Sequence, residues 1–330
     1  MGTFFSWFWT DVQIEYCYTC FGAAGWQRRC VTVSSSAALS CGPTRKEPPL
    51  NRPKTLTFDE IGYWSEVKLD IIRQYAKAYS TILTAQQQPS LHHVYIDAFA
   101  GAGVHVSKTS GSEVAGSPLI AVNTDPPFRE YHLIDLDGSK VQYLRGLIGE
   151  RADVHIYQGD CNCIMFDQVL PNVRYEDYRR GLCLLDPYGL HLDWQVIYRI
   201  GQSKAIDLFL NFPIMDMNRN VFWHHPKQVA TADIARMNAF WGDESWRNVA
   251  YEEDQTLFGP VEKKAANETV AEAFRQRLRD VATFANVPAP IPMRNSCGAV
   301  VYYLFFASPK PVAQKIVTSL FNKYRDRGAD

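Results

Sequence analysis

Net charge is nearly absent: 34 Lys and Arg stand against 35 Asp and Glu, leaving 330 residues at −1. No global field draws the molecule to nucleic acid or to an acidic surface, so such a partner has to be met by a local basic patch. An uninterrupted apolar run is missing as well. A secretion signal needs a basic start and a continuous apolar segment. Here Asp11 and Glu15 follow the early run Phe4-Phe5-Ser6-Trp7-Phe8-Trp9, and Arg28-Arg29 come late. Signal peptide and membrane span are both rejected on this ground, and a cytoplasmic location is expected. A second close cysteine pair is also lacking. Cys17-x-x-Cys20 is followed only by the loosely spaced Cys30 and Cys41, so a zinc reading stands against that of a disordered tail, and no metal is expected.

What is present is ordinary globular material, 46% hydrophobic and 21% charged. Of the eight cysteines, Cys161, Cys163, Cys183 and Cys297 are spread through the later chain and are expected to be reduced core or loop residues. Residues 1–50 differ in composition from the rest, and a disordered or spurious N-terminal extension is expected there. Their start, Met1-Gly2-Thr3-Phe4-Phe5-Ser6, fits the short myristoylation pattern.

From Phe58 the pattern becomes helical. Trp64, Val67, Leu69, Ile71, Ile72, Tyr75, Ala78, Tyr79, Ile82 and Leu83 recur at helical spacing, which predicts a helix over about 58–85 with Lys68, Asp70, Arg73 and Lys77 on its solvent side. Pro89 ends it. The strand Val94 to Ala98 then runs into Asp97 and the turn Gly101-Ala102-Gly103, the way a Rossmann-like first strand delivers its backbone to a nucleotide-like ligand. A dinucleotide fingerprint needs a third glycine, and Val106 stands in its place. A long polar excursion leads instead to a helix start at Gly116-Ser117-Pro118.

Further strands are predicted at Tyr131 to Asp137, Val154 to Tyr157, Gly181 to Leu185 and Ile206 to Phe212. Helices follow at Gly138 to Ile148 and Asp193 to Ile200. The β-then-α period implies a Rossmann-like, doubly wound, mostly parallel α/β sheet, which binds ligands at the carboxyl ends of its strands. Residues 213–260, rich in Trp, His and Met, are expected to form a cap inserted into the domain. A helix from Glu268 to Phe284, a strand pair around Asn295 to Gly298 and a helix from Pro311 to Tyr324 close the chain.

Four strand ends carry acids: Asp97, then Asp135 or Asp137, then Asp160, then Asp186. An acid after the second strand sits where it accepts both hydrogen bonds of a ribose diol, and Asp160 sits where it meets an adenine amine. The competing reading of both is helix capping. Leu185-Asp186-Pro187-Tyr188-Gly189 sets a carboxylate and a proline carbonyl beside an aromatic, suiting a planar amine; it is equally a turn sequence.

Tyr95 to Gly103, Gly116-Ser117-Pro118, Gly159-Asp160-Cys161-Asn162, Leu185 to Leu190 and Asn211-Phe212-Pro213 occur in an order that resembles the three-Cys-motif partner protein family (TcmP). That family is itself similar to class I S-adenosylmethionine-dependent methyltransferases. The resemblance covers roughly four-fifths of the chain. It implies S-adenosylmethionine as cofactor, with Asp97, Phe99, Gly101 and Gly103 along its methionine and ribose, Asp135 or Asp137 at the ribose hydroxyls and Asp160 at the adenine. Asp186, Pro187 and Tyr188 would face the methyl acceptor, an amine of nucleic acid. The chain departs from the amino-methyltransferase motif in having Tyr188 for a second proline and Gly189 for the aromatic. The resemblance also implies a three-Cys-motif companion protein, similar to radical S-adenosylmethionine proteins, which opens a non-catalytic alternative in which the chain is a partner or scaffold. Arg219, His224, His225 and Lys227, interleaved with Phe222 and Trp223, read either as a nucleic-acid groove or as a packed cap with surface charges.

Overall fold

A computed structural model describes residues 58–256 and 259–325 of the chain. The readings of residues 1–50, including the zinc and myristoylation patterns, lie outside the described residues.

The centre is a seven-stranded sheet. In chain order its strands are β2 (His92–Asp97), β5 (Glu130–Asp135), β6 (Val154–Gln158), β7 (Arg179–Leu185), β8 (Ile206–Phe212), β11 (Ile291–Arg294) and β12 (Val300–Ala307). Their spatial order is β11-β12-β8-β7-β2-β5-β6. The five strands from β8 to β6 are mutually parallel, and β12 enters antiparallel between β8 and β11. The expected Rossmann-like, mostly parallel sheet with a C-terminal strand pair is therefore the observed one. After β6 at one edge the chain returns to place β7 beside β2, so the order reverses there. A crevice opens at such a reversal, outside the carboxyl ends of the two strands.

The strands read as continuous apolar runs because both faces are covered. Along β7, Leu182 and Leu184 join one core while Cys183 and Leu185 join the other; along β8, Phe209 faces the first and Leu208, Leu210 and Phe212 the second. The first core is closed by α1 (Tyr63–Ala85), α2 (Ser117–Val122), α3 (Gly138–Ile148) and α10 (Pro311–Arg325). The second is closed by α4 (Cys161–Ile164), α5 (Trp194–Ser203), α6 (Ile214–Asn220), α7 (Thr231–Trp241), α8 (Trp246–Ala250) and α9 (Asn267–Asp280). Cys161 and Cys183 are buried, and Cys163 and Cys297 are exposed.

Three local features differ from the sequence reading. Lys68, placed there on the solvent side of α1, is only 8% exposed; the helix lies across the sheet deeply enough to submerge part of its flank. The polar excursion after Gly103 forms β3 (Val104–Ser107) and β4 (Glu113–Ala115), paired antiparallel, while β3 also pairs with β1 (Glu60–Ile61) ahead of α1. In residues 213–260, Phe222 is buried against Trp246 rather than offered as a stacking surface, leaving Trp223 as the partly exposed aromatic. The same stretch holds α6, α7, α8 and most of the hairpin β9 (Tyr251–Thr256) and β10 (Gly259–Lys264), whose backbone pairing runs from Tyr251 opposite Lys264. Among the described residues no helix is long and apolar enough to cross a membrane.

Candidate functional site

The loops that leave β2 and β7 line one cavity of about 370 Å³ at the reversal point. Phe99, Ala100 and Gly101 come from the first loop, Asp186, Pro187 and Tyr188 from the second, Lys68 from α1, and Ile61 and His105 from the small sheet. Five of the residues expected from sequence thus meet: Phe99, Gly101, Asp186, Pro187 and Tyr188. Asp97, Gly103, Asp135, Asp137 and Asp160 are not among the cavity's lining residues, and each has a local task.

Asp97 is wholly buried at the end of β2, accepting the Phe99 N–H at 3.2 Å and the Tyr95 hydroxyl at 3.4 Å. Burial pushes its carboxyl up to about 7; hydrogen bonds from Ser117 and Phe99 pull the other way, as does Lys68, while the charge of Asp186 adds to the rise. Asp135 accepts the Gly101 N–H at 2.8 Å with one oxygen and the Asp137 N–H at 2.8 Å with the other, so it ties the β5 end to the glycine turn. Asp137 caps α3 through the Ser139 N–H, and Asp160 caps α4 through the Asn162 N–H, each at 2.8 Å. A capping carboxylate keeps lone pairs free for a ligand, so capping and binding are compatible. Between Asp135 and Asp137 stands Leu136, 74% exposed, an apolar surface at a strand end where the sequence pattern draws the eye only to the acids.

The two glycines of the turn differ in what they make possible. Both are left-handed, with φ of +63° at Gly101 and +81° at Gly103. A Cβ on Gly101 meets nothing within 4 Å and would stand in the open cavity; one on Gly103 comes within 2.7 Å of Leu144 Cδ1 on α3. Gly101→Ala is therefore expected to cost about 1 kcal/mol of stability, the backbone term alone, while obstructing a ligand. Gly103→Ala is expected to cost about 2–3 kcal/mol through backbone strain plus overpacking. Thermal denaturation of both variants, read beside ligand titration, checks the division: greater instability in Gly101→Ala than in Gly103→Ala would contradict it.

Opposite the turn, Asp186 is held on both oxygens, by the ammonium of Lys68 and by the side-chain amide of Asn211 at the end of β8. Burial works against the Lys68 charge, but the Asp186 carboxylate and the Tyr302 hydroxyl outweigh it and hold the ammonium well above its ordinary range. Its Nζ also lies 5.6 Å from the Tyr302 ring centre. The expectation of an Asp186 left open toward an acceptor is thus modified: it is one corner of a polar network. Tyr188, 63% exposed, donates to Asp59 at 3.0 Å, and Lys140 of α3 reaches the same carboxylate at 2.8 Å and the phenol at 3.4 Å. These contacts join three segments at the rim of the cavity.

Lys68, His105 and Asn211 are the polar groups that motif reading passes over as site residues. His105 has its Nδ1 buried without a hydrogen-bond partner, and Asn211 has its Oδ1 in the same state. Burial lowers the imidazole's pKa, and the Lys68 ammonium pushes it further, so the ring is neutral. His105 lines the crevice, and its orphaned buried nitrogen fits a site that a polar ligand completes. The alternation Val104-His105-Val106 was the available signal for His105. For Lys68 there was none, because its spacing matches a solvent face.

Fold and crevice together define a Rossmann-like α/β domain with a cavity at its topological reversal. Neither a family model nor a curated protein matches this chain. Among solved structures, a Legionella pneumophila protein is 13% identical, covering 79% of this chain and 93% of its own at a TM-score of 0.45. A candidate S-adenosylmethionine-dependent methyltransferase from Listeria monocytogenes is 9% identical, covering 72% of this chain and 99% of its own at a TM-score of 0.37. A candidate methyltransferase from Thermobifida fusca is 12% identical over 74% of this chain and 79% of its own, with a TM-score of 0.38. Among the described residues no cluster of His, Cys, Asp or Glu is arranged to hold a metal ion.

Proposed function

We propose that the crevice binds S-adenosylmethionine and that the protein transfers its methyl group to a nitrogen nucleophile, an amine of nucleic acid. The observation that carries this reading is the single cavity shared by the Gly101 turn after β2 and Asp186 after β7, a cofactor wall facing an acceptor wall. When bound, the cofactor supplies an electrophilic methyl on a sulfonium, and the protein's task is alignment with water kept out. Phe99 and Gly101 would line the methionine and ribose with Asp97 beneath their turn, Asp135 or Asp137 would take the ribose hydroxyls, and Asp160 would take the adenine amine beside the exposed Leu136. Asp186 and the Pro187 carbonyl orient the acceptor amine beside Tyr188. Proton abstraction before transfer is not required, since a neutral amine already carries the attacking lone pair.

A second reading is favoured by the commitment of both Asp186 oxygens to Lys68 and Asn211. In it the chain is a partner protein of a three-Cys-motif companion and binds the cofactor without using it. Calorimetry with S-adenosylmethionine and with NAD separates these readings from an oxidoreductase. Incubation of the methyl-labelled cofactor with DNA, RNA and the companion separates transfer from scaffolding. Label entering nucleic acid supports the enzyme. Cofactor binding without transfer to any of the three leaves the partner reading, and heat with NAD alone removes both.

A further inference from the structure

A second cavity, of about 430 Å³, lies at the opposite edge of the sheet, at the amino ends of β2, β7 and β8. Its walls are apolar: Tyr75, Tyr79, Ile82 and Leu83 from α1 face Val312 and Ile316 from α10. Ile82 and Val312 are each about half exposed at its opening. Three cations lie around it, Arg180, Lys204 and Lys310. None forms an ion pair with a carboxylate among the described residues. Arg180 is held in place by donating to the carbonyls of Tyr175 at 3.1 Å and Arg179 at 2.7 Å, and its guanidinium lies 3.7 Å from the Tyr175 ring centre. Lys310 approaches the same ring at 5.4 Å. The one acid in the lining, Asp207, is at the floor with its oxygens occupied by the Tyr75 hydroxyl at 2.6 Å and the Ser308 hydroxyl at 2.5 Å.

Lys204 adds an independent observation. It ends α5 in the left-handed conformation, φ +52°, where glycine is the unstrained residue. A lysine there carries backbone strain and contributes a charge to this opening. An open-mouthed apolar slot with several cations outside any ion pair around it suits one kind of occupant, an alkyl chain ending in an anion.

We propose that this cavity binds a free single-chain anionic amphiphile, alkyl chain between α1 and α10, with its anion between Arg180, Lys204 and Lys310. The site is separate from the crevice but built on the same helix: Lys68 faces one and Tyr75 the other, about 10 Å apart along α1 at ~1.5 Å per residue.

Laurate, kept below its micelle concentration and titrated into the full chain, tests this. Saturable binding is expected, at least tenfold tighter than for dodecanol or dodecyltrimethylammonium. Lys204→Gly removes a cation without disturbing the backbone and is expected to weaken laurate about fivefold while leaving dodecanol unchanged. Ala313→Trp, from a buried position in the wall, is expected to abolish binding. The proposal is overturned by absence of saturable binding, by equal affinity for the cationic amphiphile, by laurate affinity indifferent to Lys204→Gly, or by binding seen only with anionic vesicles.

Discussion

Asp186→Ala is expected to lower methyl transfer by three orders of magnitude or more while leaving the affinity for S-adenosylmethionine within about threefold. It is also expected to cost roughly 2–4 kcal/mol of stability, because breaking a buried pair leaves an uncompensated charge. The strand-end acid is the partner that holds the Lys68 ammonium, and Lys68 is nearly submerged. Asp186 is itself about one-third exposed, which sets the figure below that of a fully buried pair. Lys68→Met alone is expected to cost less, since the carboxylate it abandons still reaches solvent. The double variant should recover part of the loss, the signature of coupling between the two groups. Chemical denaturation of the four proteins, with transfer from labelled cofactor measured beside it, gives both quantities. Equal loss of cofactor affinity and transfer in Asp186→Ala would make the residue structural, and unchanged stability would remove the case for the ion pair.

The second large effect concerns pH. Affinity for S-adenosylmethionine is expected to rise about tenfold per unit from pH 5 to pH 7, reaching a maximum near pH 7–8. A carboxyl with its pKa raised to about 7 is neutral below that value, and a cationic amino group held beside the turn above Asp97 would favour its ionised form. Above the maximum the ligand's own amino group, with an ordinary pKa of about 8, loses its charge and affinity falls again. Asp97→Asn should flatten the rising limb and weaken binding roughly 100-fold at pH 7.5. Calorimetry across the pH range decides it, and a wild-type profile retained in Asp97→Asn would place the titrating group elsewhere.

Stability of the ligand-free protein moves in the opposite sense. The folded state holds the Asp97 proton to higher pH than the unfolded chain does. The stabilisation from that proton is complete below about pH 4 and is lost as pH rises through 7. Asp207, pushed up to about 6 by burial against the hydrogen bonds of Ser308 and Tyr75, adds a loss of the same sign between about pH 4 and 6. Ligand-free protein should therefore gain most from Asp97→Asn at high pH, which denaturation at pH 5 and pH 8 measures.

Much of the fold was legible in the chain, for identifiable reasons. β8 is apolar over nearly its whole length because both of its faces are covered, so composition alone marks Ile206–Phe212 as a strand. α3 begins after a capping aspartate and ends before Gly149, signals that act within a few residues, and Gly138–Ile148 is readable from them. The hairpin of β3 and β4 was not legible, since its strands are only four and three residues long and β3 relies on pairing with β1, some forty-five residues earlier in the chain. Phe222 and Trp223 look alike in a sequence; their division into a core residue and a partly exposed one depends on where Trp246 packs.

The acids and glycines at the strand ends show the same division at the site. The chain alone shows an acid at the end of each of β2, β5 and β7, glycines after the first, and no third glycine of a dinucleotide loop. These are properties of contiguous residues, set by local backbone geometry. Which of those acids does what came from packing: Asp97 is buried and held by its neighbours, Asp135 braces Gly101, and Asp186 is paired with Lys68 and Asn211. Charge, burial and hydrogen-bond partnership depend on neighbours in space, and Lys68 meets Asp186 although the two stand 118 positions apart in the chain.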